Sequence, residues 1–146
     1  MRRVFVDSNI FIYALGEEHR YRDPCRALVA LLAGGEVAGE TSTEVVQEVV
    51  HVRRRRTGDG ADAVRRGREI LAWGLPLHDF TRADLELSLE LLSAHTELPA
   101  RDAVHAATAR NRGIDLILSA DGDFDALDLV ERIDPAAPDA IGRLRG

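Results

Sequence analysis

Ile114-Asp115-Leu116-Ile117-Leu118-Ser119-Ala120-Asp121 is the stretch whose reading decides the fold. Its leucines and isoleucines, bounded by Gly113 and Gly122, form the short apolar run of an interior strand, predicted here over Ile114 to Ser119. Upstream, Pro99 opens an alanine-rich helical segment that ends at Gly113; downstream, Leu129 to Ile133 predicts a last strand. Val4-Phe5-Val6 reads as a fully buried first strand, Glu36 to Gly39 as a weak one, and Leu75 to Leu77 as a brief third. Between them lie helical periods. Asp7 or Ser8 caps a short helix through Tyr13, Asp23-Pro24 opens a helix that stops at Gly34-Gly35, and Thr41 with Glu44 forms a capping-box pattern before a valine-rich helix. Further helices follow Gly60, running to about Trp73, and begin at Thr81 and Asp84. Short strands alternating with helices predict βαβ units. The expected fold is α/β, with a central, mainly parallel sheet of about four or five short strands covered on both faces.

The length of 146 residues and a hydrophobic content of 45% suit one ordinary domain with its own core. We expect residues 1–134 to form it, with the polar, proline-containing tail 135–146 either part of the same unit or flexible. The single cysteine, Cys25, has no internal disulfide partner, and Asp7 interrupts the opening before a signal-peptide apolar stretch develops, so a cytoplasmic location is expected. The apolar run Ala27 to Ala33 is far shorter than the roughly 20 residues of a spanning helix, so no membrane segment is expected. A net charge of −6 argues against a protein that coats nucleic acid by bulk positive charge. The basic residues are all arginine and crowd into Arg53-Arg54-Arg55-Arg56 and then Arg65, Arg66 and Arg68. A phosphate-facing patch and a plain solvated helix face both fit that pattern.

In an open α/β sheet, ligands bind beyond the carboxyl ends of the strands. Asp7 ends the first strand, Asp121 lies just past the strand ending at Ser119, and Asp102 sits in the first turns of a helix that begins at that same edge. For a fourth acid, the helical wheel prefers Glu48 to Glu44: Val45 and Val52 flank Glu48 at helical spacing, so it borders the apolar stripe, whereas Glu44 lies nearer the solvent face. Carboxylates in such company ionise at high cost unless a cation stands beside them. Several hard oxygen ligands without a histidine-cysteine cluster favour Mg²⁺ or Mn²⁺ over Zn²⁺, and such an ion suits phosphodiester cleavage. Each acid alone also fits an ordinary role: Asp7 as a cap, Asp102 as a dipole partner, Asp121 before Gly122 as a turn residue, Glu48 as a boundary residue.

Val4-Phe5-Val6-Asp7-Ser8-Asn9-Ile10 resembles the opening of PIN-domain nucleases. Thr41 to Val49 resembles their second acidic motif, Arg101-Asp102-Ala103-Val104-His105-Ala106-Ala107 the third, and Ile117 to Phe124 the fourth. Each motif is short, but four in order at fitting spacing across nearly the whole chain make a specific signal. The resemblance implies a PIN-like three-layer α/β/α sandwich and a metal-dependent endoribonuclease that leaves a 5′-phosphate and a 3′-hydroxyl. By position, it assigns Asp7, Glu48, Asp102 and Asp121 as catalytic residues holding Mg²⁺ or Mn²⁺, with Asn9 and Ser119 supporting the site and Asp123 behind it. Size and the lack of appended domains are similar to the VapC toxins, which implies an RNA substrate, a homodimer, and a small VapB-like antitoxin that inserts a segment into the acidic groove. An arginine on that segment would pair with the carboxylates in bidentate fashion.

Other residues invite weaker readings. His105 is either a general base or a partly exposed helix histidine, with the second preferred, and Trp73 and Phe80 read as packing residues. Arg53 to Arg56 stay open between RNA-backbone contact and solvation. A phosphoacceptor receiver domain needs a lysine, and this chain has none. The same absence weakens a dehalogenase-type phosphatase, which also wants an aspartate where Asn9 stands. A catalytically silent PIN-like binding module is the remaining alternative.

Overall fold

The computed structural model describes residues 1–146. Five strands, β1 (Arg3–Val6), β2 (Ala38–Ser42), β3 (Leu77–His78), β4 (Leu116–Leu118) and β5 (Glu131–Ile133), form one sheet in the order β3-β2-β1-β4-β5. All four pairings are parallel. Parallel neighbours require crossover connections, and helices supply most of them. They are α1 (Ser8–Leu15), α2 (Arg22–Ala33), α3 (Thr43–Thr57), α4 (Gly60–Ala72), α5 (Arg82–Ala94), α6 (Ala100–Asn111) and α7 (Ala140–Arg145).

Val4, Phe5 and Val6 of β1 and Leu116, Ile117 and Leu118 of β4 are fully buried, which is why these two strands sit at the middle of the sheet. Burying each such side chain stabilises the fold by about 1.5–3 kcal/mol. α2 packs close against β2: a Cβ added to Gly39 would stand 2.1 Å from Leu32 Cδ2, so any larger residue there has to displace the buried Leu32 side chain. At the other end of α3, Gly58 takes φ +69° and caps the helix before the chain reverses into α4.

Three expectations shift. β2 runs later than Glu36 to Gly39, because Thr41 and Ser42 complete it: the Thr41 hydroxyl donates to the Val6 carbonyl at 3.0 Å, and Ser42, not Thr41, caps α3 by accepting from Val45 N–H at 3.1 Å. The third strand shrinks to Leu77–His78, an edge element paired with β2 alone. The tail, for which both a packed and a flexible course were open, carries α7, whose Ala140 and Leu144 are buried in the same core as β1 and β4. At Thr81 the structure has the capping box that the Thr81 and Asp84 spacing predicts.

Candidate active site

The chain leaves β1, builds β2 and β3 on one side of it, and then returns to lay β4 on the other. That reversal opens a crevice beyond the carboxyl ends of β1 and β4, where the strand order switches. Asp7 follows β1 and Asp121 lies just past β4, while α3 and α6 bring Glu48 and Asp102 to the same place. All four line one cleft of about 230 Å³, shared with Ser8, Asn9, Tyr13, Arg56 and His105.

Asp7 is held from several sides. Its Oδ2 accepts from the Ser119 hydroxyl at 2.7 Å and from Asn9 Nδ2 at 3.2 Å, while Oδ1 accepts from Ser8 N–H at 2.7 Å. The Ser119 oxygen also accepts from Asp121 N–H at 3.0 Å and from Asn9 Nδ2 at 3.0 Å, and Asn9 Oδ1 accepts from Ala120 N–H at 3.2 Å. Asn9 and Ser119 therefore lace the ends of β1 and β4 together and fix where Asp7 points. Asp121 is oriented differently. It caps the 3-10 turn Gly122–Ala126, with Oδ1 accepting from Asp123 N–H at 2.9 Å.

Carboxylate oxygens of Asp102, Asp121 and Asp123 lie within 4.8 Å of one another. Asp123 therefore stands beside the acids rather than behind them. Burial first, and then the neighbouring Asp121, Asp7 and Asp123, push the Asp102 carboxyl up to about 8. Asp123 is raised as well, chiefly by the charge of Asp121. Asp7 is raised by its burial, against the opposing pull of His105 and its hydrogen bonds. Asp102 Oδ2 is buried with no hydrogen-bond partner. An orphaned carboxylate oxygen, raised by like charges within a few ångströms, is the electrostatic condition that a hard divalent cation relieves, so the residues present fit such an ion.

Glu48 behaves in the opposite sense. Burial raises it, but the His105 hydrogen bond and the charges of His105 and Arg101 outweigh that effect and hold its carboxyl below the ordinary range. His105 Nε2 stands 3.1 Å from Glu48 Oε2 and 3.7 Å from Asp7 Oδ1, and Arg101 Nη1 donates to Glu48 Oε1 at 3.2 Å. His105 is 3% exposed, not the partly exposed helix residue preferred from its wheel position. Its wheel position alone permits an exposed residue; in the structure the ring lies 6.0 Å from the Phe5 ring of β1 and its Nε2 faces Glu48, contacts that no local pattern shows. The signal available was its i+3 spacing from Asp102.

The arginine cluster divides. Arg53 Nε donates to Asp62 Oδ2 at 2.8 Å and its Nη1 to the Leu15 carbonyl at 2.9 Å, so it ties α3 to α4 and α1. Arg54 and Arg55 are exposed. Arg56, two turns beyond Glu48 on the same face of α3, lines the acidic cleft.

A PIN-domain family profile matches residues 4–129. The chain is 40% identical over 141 residues to Ribonuclease VapC7 of Mycobacterium tuberculosis, an alignment that covers 95% of this chain and 94% of that protein. Among solved structures, Mycobacterium tuberculosis VapC20, described as a Sarcin-Ricin loop cleaving toxin, matches with a TM-score of 0.72 at 27% identity, covering 88% of this chain and 97% of that one. A chain of a toxin-antitoxin complex from Klebsiella pneumoniae shares the fold, with a TM-score of 0.64 at 20% identity over 90% of this chain and 97% of its own.

Proposed function

This chain belongs to the PIN-domain family, and from that premise we propose that it is a metal-dependent endoribonuclease of the VapC type, the toxin of a toxin-antitoxin pair. The observation that carries the reading is the convergence of Asp7, Glu48, Asp102 and Asp121 on one cleft at the switch point of the sheet. Mg²⁺ or Mn²⁺ is the ion that an all-carboxylate set with room for water selects. Asp7, Glu48, Asp102 and Asp121 would hold it, with Asp123 close enough to Asp102 and Asp121 to join them.

When bound, the ion supplies the charge that acidifies a water and polarises a phosphoryl oxygen for in-line attack. The chain's own residues do the positioning. Ser119 and Asn9 hold Oδ2 of Asp7 while the Ser8 N–H holds its Oδ1, His105 keeps Glu48 turned toward the cleft, and Arg56 offers a cation to the RNA backbone at its rim. RNA is the proposed substrate and a small VapB-like antitoxin the proposed regulator. A groove of about 210 Å³ lined by Phe11, Leu15, Val29, Ile70 and Trp73 gives such a chain an apolar foothold, and a further segment enters the acidic cleft. We also propose a homodimer.

The test is hydrolysis of RNA by the purified protein with Mg²⁺ or Mn²⁺, with EDTA, and after Asp7→Asn and Asp102→Asn. Cleavage should vanish under chelation and fall by at least about 100-fold in each variant, as expected when a metal ligand is lost. Activity that survives both treatments overturns the assignment.

A further inference from the structure

Arg101 is the one cation that the chain places against a carboxylate of the proposed metal site yet leaves in solvent. Its side chain is 65% exposed, against 17% for its partner Glu48, and Glu48 is its single side-chain hydrogen-bond partner. It occupies the first turn of α6, where the helix dipole disfavours a positive charge. An exposed ion pair of this kind adds little to stability, so neither local propensity nor folding accounts for an arginine at this position.

The cleft beside it is separate from the acidic one but shares Glu48 and His105 with it. It measures about 150 Å³ and is lined by Glu44, Gln47, Glu48, Ala100, Arg101, Val104 and His105. With Glu44 and Glu48 both charged, this cleft repels an anion. A divalent ion held in part by Glu48 would take up one of those charges and free the Arg101 guanidinium, whose planar donors match a phosphodiester. Exposed Gln47 adds an amide donor on the opposite wall.

We infer that Arg101 and the cleft between α3 and α6 form a second RNA-phosphate site, closed by the Arg101–Glu48 pair in the metal-free protein and opened when a divalent ion takes Glu48. The inference rests on the ribonuclease reading and adds to it where the RNA backbone lies and why its binding depends on metal.

The experiment uses the full chain and a fluorescein-labelled RNA oligonucleotide, with Ca²⁺ in place of the catalytic ion. Binding is followed by anisotropy across a salt series, and Mn²⁺ affinity is measured separately by calorimetry. Arg101→Gln should weaken RNA binding about tenfold and lower the slope of log affinity against log salt by about one, the change expected for one lost phosphate contact. Mn²⁺ affinity should hold or tighten, because a competitor for Glu48 has been removed. Arg101→Lys should keep the salt slope, Glu44→Gln should tighten RNA binding, and without divalent ions the parent and Arg101→Gln should bind RNA equally weakly. Unchanged RNA affinity and slope in Arg101→Gln overturn the inference. So does weakened Mn²⁺ binding with an unchanged slope, since Arg101 then serves only to hold Glu48. A parent protein that binds neither Mn²⁺ nor RNA overturns the ribonuclease reading itself, an outcome distinct from both.

Discussion

His105 Nε2 lies 3.1 Å from Oε2 of Glu48, so a histidine on α6 sets the direction of a carboxylate on α3. A carboxylate only accepts, so Nε2 carries the hydrogen and Glu48 is held toward the cleft. His105→Ala should weaken Mn²⁺ binding by about 10–100-fold, the range found when a residue supporting a metal ligand is removed. His105→Gln, whose amide can still donate, should recover part of it. Calorimetric titration of Mn²⁺ decides the matter; equal affinity in the parent and His105→Ala would show that Glu48 needs no such support.

Metal binding should be steeply pH-dependent, with a known sign. Burial, and then the neighbouring acids, lift the Asp102 carboxyl from 3.8 to about 8, so at neutral pH the metal-free chain holds a proton there that the ion must expel. Mn²⁺ affinity should rise with pH up to about 8, by as much as about tenfold per unit where one proton is displaced. Calorimetry in buffers of different ionisation enthalpy should register close to one proton released at pH 7. In the metal-free protein the raised carboxyl acts the other way on stability: its contribution is fully present below the unfolded value and lost as pH rises toward about 8. Its melting temperature should therefore fall between about pH 5 and about pH 8, and excess Mn²⁺ should remove that fall. A flat affinity profile would contradict the clustering of Asp102 with Asp121 and Asp123.

Two neighbours in the arginine run should separate cleanly. Arg53 is engaged with Asp62 and the Leu15 carbonyl, so Arg53→Met should lower the melting temperature by on the order of a few °C. Arg56 lines the cleft and has no side-chain partner in the chain, so Arg56→Gln should leave the melting temperature alone, raise KM for RNA, and reduce its salt dependence. The reverse pattern in thermal melts and kinetics would exchange the roles.

On α5, Leu85 is 44% exposed and Leu89 56%, one helical turn apart on one face. The proposed homodimer would give these side chains a place to be buried. Leu89→Glu should shift the protein from dimer to monomer in light scattering without loss of helical signal. A parent protein that is monomeric at tens of micromolar removes the dimer from the reading.

Much of the scaffold was legible because it rests on local rules. The apolar run before Ser119 announces β4, Val4-Phe5-Val6 announces β1, and the Thr81 and Asp84 spacing announces the cap of α5. The acids were legible too: a strand that ends in aspartate, and helices that feed back to parallel strands, put Asp7, Asp121 and Asp102 on one edge. The cap of α3 was misplaced because Thr41 and Ser42 are equally good caps by type, and the choice fell to the Thr41 hydroxyl reaching across to Val6. The tail shows no helical period in the sequence, because α7 is six residues long and buries only Ala140 and Leu144.

By itself, the sequence determined the strand-helix alternation and pointed to the four acids that the fold brings to one cleft, because periodicity, capping and strand ends act within a few residues. Tertiary structure alone decided that His105 faces Glu48, that Asp123 stands among the acids, and that Arg53 braces while Arg56 and Arg101 face clefts. Those outcomes depend on where the sheet places α3 and α6 around the cleft and on how the turn after β4 closes. Such geometry is set by packing between segments more than fifty residues apart in the case of Glu48 and His105, a separation of 57, and no local pattern carries it.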